Sequence, residues 1–144
     1  MRRAEKVFVM STILVTALSC QCPPEKPQPE RPENVSGWQS RDEHGTRLLG
    51  EFVLGVGDSV NNGTLGVSVV AISPPRPCSH EGWYAYPNAV IRFYRYSDSK
   101  VLCEHAWIPG SLVLKPDCDA ELGFTNMSLA INSNEGWVHL RLLQ

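Results

Sequence analysis

Two Cys-x-His pairs hold the densest chemistry in the chain, Cys78-Ser79-His80 and Cys103-Glu104-His105. Residues i and i+2 of a β-strand point to one face, so two such pairs on adjacent strands could converge as a Cys2His2 tetrahedron, a structural zinc set. Oxidation is the simpler chemistry. Cys78, Cys103 and Cys118 are disulfide candidates, and Cys103 and Cys118 bracket one short strand segment. The expectation is a disulfide, with no metal and no other cofactor. Setting Cys20 aside, four cysteines remain and permit three connectivities, with Cys22 in a Pro-rich segment expected to stay unpaired.

Nucleophilic chemistry has one candidate. Gly57-Asp58-Ser59, followed by Asn61-Asn62-Gly63, resembles the nucleophile block of GDS-type esterases, which implies an attacking Ser59. That family draws its His and Asp from a late Asp-x-x-His. Here Pro77, Leu102 and Gly136 stand three residues before His80, His105 and His139. The family's α/β fold is also larger than this chain allows. The block therefore reads as a turn, no catalytic residue is assigned, and no enzyme activity is expected.

Other clusters resolve in the same way. Asp117, Asp119 and Glu121 alternate but lack the Gly and terminal Glu of a calcium loop, and read as a solvated acidic segment. Arg92-Phe93-Tyr94-Arg95-Tyr96 interleaves basic and aromatic residues as a base-stacking surface would, yet on a strand this composition fills a pleat. The formal charge is −2, and cleavage before Cys20 would leave ten Lys and Arg against fourteen Asp and Glu. That balance excludes a broad basic footprint, so no nucleic-acid partner is expected. Trp83, Tyr84 and Tyr86 place three aromatics in a connection between strands, where interface anchors are often found. They are the candidate binding residues.

The N-terminus bears on location. Arg2, Arg3 and Lys6 precede an uncharged, mostly apolar run from Val7 to Leu18, the layout of an export signal. The run is shorter than the ~20 residues that cross a bilayer. It ends in Thr16-Ala17-Leu18-Ser19-Cys20, which resembles a bacterial lipobox. The order of Ala17 and Leu18 departs from the favoured pattern, as looser versions allow. The resemblance covers residues 1–20 and implies cleavage before Cys20, lipid on its thiol and amine, and a membrane-anchored envelope protein, with the outer membrane or cell surface favoured. Five of the eleven prolines lie between Pro23 and Pro32. Residues 21–37 then read as a polyproline II spacer of roughly 40–50 Å. The competing reading uses three N-glycosylation sequons, at Asn34, Asn62 and Asn126, and makes the chain a secreted viral or eukaryotic effector binding a host ligand.

The elements that must position these residues are strands. Alternating or β-branched runs cover 52–56, 65–72, 89–96, 101–107, 111–115, 127–131 and 137–142. Four-residue Ser97–Lys100 and Gly136-ended 132–136 segments read as hairpin loops. About seven antiparallel strands in so short a span predict an all-β fold, a small sandwich or barrel. Alternation puts Ile91 and Phe93 inside with Val67, Val69, Leu112, Leu114 and Trp137, and Arg92, Tyr94 and Tyr96 outside. The expected organisation is an export signal at 1–19, a Pro-rich tether at 20–45 and the β domain at 46–144. Its expected role is a non-enzymatic binding or accessory module with a protein partner.

Overall fold

The computed structural model of the chain describes residues 27–39, 48–76, 86–113, 118 and 122–144. Among the described residues nine strands form: β1 (Gly37–Trp38), β2 (Leu48–Gly55), β3 (Ser59–Asn61), β4 (Leu65–Ser73), β5 (Asn88–Arg95), β6 (Val101–Trp107), β7 (Gly110–Val113), β8 (Asn126–Asn132) and β9 (Trp137–Leu143). They make a five-stranded sheet in the order β1-β2-β9-β8-β7 and a four-stranded sheet in the order β3-β4-β5-β6. Every pairing is antiparallel. The two sheets pack face to face as a small all-β sandwich.

Period-two alternation explains the packing. Ile91 and Phe93 of β5 are fully buried, while Arg92 and Tyr94 between and beside them face outward. Val67 and Val69 meet them from β4, and Met127, Leu129, Ile131, Val138, Leu140 and Leu142 supply the opposing layer. Phe124 lies 5.1 Å from Phe93, centroid to centroid, and joins the two layers near one edge. Both expected hairpins form. Arg95 donates its backbone N–H to Lys100 O across the β5–β6 loop, and Gly136 donates to Asn132 O across the β8–β9 turn with φ 74°.

Two strands were not legible from pattern. β3 occupies Ser59–Asn61, within the segment read as a turn, and pairs with β4. The turn itself is shorter: Asp58 Oδ2 accepts the Gly55 N–H at 2.7 Å, and Gly57 takes φ 85°. Val56, the third member of the β2 alternation, falls in this turn and is exposed.

The second is β1, which lies inside the segment read as tether. It pairs Gly37 with Glu51 and Trp38 with Gly50, so the sheet begins well before residue 46. Trp38 packs edge-on against Phe52 at 4.8 Å and closes the core at that margin. Gly50 is required there, because a Cβ at that position would lie 2.7 Å from the Phe52 ring.

Leu114, expected in the core, lies outside the described residues. Leu112 is half-buried against the core. Trp137 is buried as expected but on the opposite side. Its neighbours in β9, Val138, Leu140 and Leu142, face the core, so its register places Trp137 on the outer face of the five-stranded sheet.

Candidate functional site

The disulfide expected from composition is present between Cys103 and Cys118, with Cα atoms 4.9 Å apart. Cys103 sits on β6, the edge of the four-stranded sheet, and Cys118 in the connection between β7 and β8. The bond therefore ties the edge of the four-stranded sheet to a connection of the five-stranded one. His105 follows on the same side of β6, stacked edge-on to Trp107 at 5.4 Å. One of its ring nitrogens and the two sulfurs lie within 4.8 Å of one another. Zinc would need both sulfurs as thiolates, and the cross-link consumes them. Cys78 and His80, the other Cys-x-His pair, lie outside the described residues, as do Cys20 and Cys22.

Ser59 is bonded to a phenol rather than to a histidine: its Oγ and Tyr94 Oη are 2.5 Å apart. The Tyr94 ring lies flat over its cross-strand partner Gly66, where a Cβ would stand 2.0 Å from the ring. This is a structural clasp between β3, β4 and β5. The basic and aromatic run of β5 is likewise divided by the pleat. Phe93 enters the core, Arg92 Nε donates to Glu104 Oε2 at 2.5 Å, and Arg95 Nη1 donates to Asp98 Oδ2 at 3.0 Å. Both guanidinium groups face carboxylates, one on β6 and one in the β5–β6 loop, which leaves the face mixed rather than basic. The backbone N–H of Lys100 on Asp98, aided by Arg95, holds that carboxyl below its usual range.

Trp83 and Tyr84 lie outside the described residues. Tyr86 is exposed two residues before β5, where the connection from β4 re-enters the sheet. The outer face it borders carries Val90, Arg92 and Tyr94 on β5, with Glu104 and Ala106 opposite them on β6. Asp117, Asp119 and Glu121 are also outside the described residues. Among the sequons, Asn34 and Asn62 are exposed, and Asn126 is half-buried within β8.

Sequence reasoning missed a second set of polar contacts, on the outer face of the five-stranded sheet. Glu51 and His139 pair across β2 and β9 at 2.7 Å, and Ser36 Oγ donates to the other Glu51 oxygen at 3.2 Å. The His139 bond, with help from Ser36 and the Arg141 charge and against the cost of burial, holds the Glu51 carboxyl below its ordinary value. At the far end of β8, Asn132 Nδ2 donates to Pro29 O and the Ser133 N–H donates to Gln28 Oε1. Alternation in β9 would have separated His139 from the core, but no local pattern links residues about a hundred positions apart.

Comparison with protein-family models, with curated proteins and with solved structures gives no match for this chain.

Proposed function

We propose that this chain is an exported, lipid-anchored envelope protein whose β-sandwich binds a protein partner without catalysing a reaction. The observation that carries the reading is the Thr16–Cys20 motif after a short apolar run, followed by a Pro-rich segment that leads into the sandwich. Lipid on Cys20 would supply more than one acyl chain, and a single chain anchors only marginally. The membrane is then one partner. The contact surface for the second is the outer face of the four-stranded sheet with Tyr86, and the sequence-expected anchors Trp83 and Tyr84 belong to the same β4–β5 connection. Exposed Tyr86 and the mixed face of Val90, Arg92 and Tyr94 have the aromatic and Arg content that interfaces favour.

Fractionation of expressing bacterial cells tests the anchor. The wild-type chain should sediment with membranes, and Cys20→Ala should either stay uncleaved or appear in the soluble exported fraction. A Cys20→Ala chain that is processed and membrane-bound like wild type would overturn it.

One observation favours a second reading. Asn34 and Asn62 are exposed, and the Asn62 carbonyl oxygen accepts the Thr64 and Leu65 backbone N–H groups while its amide nitrogen makes neither bond. Both sites would accept a glycan without disturbing the core. A secreted effector bearing sugars at these positions and lacking lipid is the alternative that the same expression experiment, run in a eukaryotic host, addresses.

A further inference from the structure

The residues just after the spacer's first prolines are joined to the domain at two strands of one sheet, β8 and β2, which flank β9. Asn132 lies on the outer face of β8, since Met127, Leu129 and Ile131 face the core. It is nonetheless 4% exposed. Its amide is satisfied on both sides, with Oδ1 accepting the Glu135 N–H at 2.9 Å and Nδ2 donating to Pro29 O at 3.2 Å. Gln28 bonds the next residue, Ser133. Seven residues after Pro29, Ser36 reaches Glu51 on β2, and β1 then adds to the sheet edge.

The path from Asn132 to Glu51 crosses β9 on the face where Trp137 lies, and Trp137 is 3% exposed although it faces away from the core. Its indole N–H is held by Glu135 at 2.7 Å. Polyproline II backbone has no internal hydrogen bonds, and aromatic-lined grooves recognise it for that reason.

We propose that residues 28–36 are a built-in polyproline ligand of this face, clamping the domain so that the β8–β9 turn is held toward the lipid surface. The lipid side rests on the anchor reading above. Gln28 lies eight positions after Cys20, which at ~3.1 Å per residue is a reach of at most about 25 Å. The spacer inferred from composition alone would have allowed 40–50 Å. The turn Ser133–Gly136 becomes the membrane-proximal end of the five-stranded sheet. Strands of seven residues set the opposite end, at Thr125, a further ~20 Å away.

Two measurements on the full exported chain test this separately. In the first, amide exchange at Ser133 is followed in the unacylated chain. Protection should be clear in the wild type and fall at least about tenfold in Gln28→Ala, since the Gln28 side chain is the acceptor that holds this half-buried turn amide. An unprotected Ser133 in the wild type, or protection unchanged in Gln28→Ala, overturns the clamp. In the second, the acylated chain is bound to phosphatidylethanolamine–phosphatidylglycerol vesicles containing a headgroup-labelled acceptor lipid. A fluorophore is carried on an azido amino acid at Asn134 or at Thr125. Energy transfer should be at least about twofold greater from Asn134, and inserting twelve Gly/Ser residues between Glu25 and Lys26 should abolish the difference. Equal transfer from both sites in the wild type overturns the orientation. A protected Ser133, together with a chain isolated from its native host that proves to carry no lipid on Cys20, would sink the anchor and the orientation while leaving the clamp standing.

Discussion

Glu51 joins three parts of the molecule through one carboxylate. One oxygen meets His139 of β9, the other accepts from Ser36 of the N-terminal arm, and Arg141 is its register partner. Its folded pKa is depressed, so it contributes stability above the ordinary carboxylate value, and that contribution is lost as pH falls through the lower folded value. Acid unfolding monitored between about pH 5 and pH 2 should show this loss in the wild type and a flatter profile in Glu51→Gln. An unchanged profile would remove the carboxylate from the account. Gly66 is the other residue on which geometry is strict. Gly66→Ala should force the Tyr94 ring off its seat and cost about 1–3 kcal/mol, whereas Tyr94→Phe, which removes only the bond to Ser59, should cost about 1 kcal/mol. Denaturant titration of the two variants compares them directly. At this scale the sequence was readable where neighbours are local: Ile91 and Phe93 inward, Arg92 and Tyr94 outward, follow from the pleat alone. Glu51–His139 was not, because the partners are 88 positions apart and neither has a local signature.

At the scale of elements, the long strands were legible because each carries its own apolar period and is bounded by Gly, Pro or Asn. β1 and β3, of two and three residues, are too short to have a period and exist only because a neighbour offers them an edge. Trp137 shows the same limit from the other side. Its hydrophobicity marks it for burial, and only the register shows that it is buried on the outer face. The disulfide, by contrast, could be anticipated as one of few possible pairings. It closes a loop of 15 residues and fastens the β6 edge to the connection before β8. Chain-entropy arguments assign such a loop about 3 kcal/mol, so the Cys103→Ser, Cys118→Ser double variant should lose roughly that much on denaturant unfolding with its strand content intact. A loss under about 1 kcal/mol would mean that the packing around Phe93, Trp107 and Phe124 already holds that edge.

For the whole molecule, two sheets of five and four strands enclose a core whose fully buried side chains include Phe93, Ile91, Met127 and Leu140. So thin a core tolerates little loss, and Ile91→Ala should cost about 2–5 kcal/mol by thermal or chemical unfolding. Among the described residues this frame carries cross-linking and clasping contacts: a disulfide, a Ser–Tyr bond and ion pairs. The proposed processing and lipidation both lie at the N-terminus, and each would change the mass of the chain. The most direct test is the intact mass and N-terminal sequence of the protein isolated from its native host. The account predicts a chain beginning at Cys20, heavier than its polypeptide by diacylglycerol and a fatty acyl group, and unaffected by N-glycanase. A lipid-free, heterogeneous species that N-glycanase reduces in mass would contradict it and make this a secreted glycoprotein.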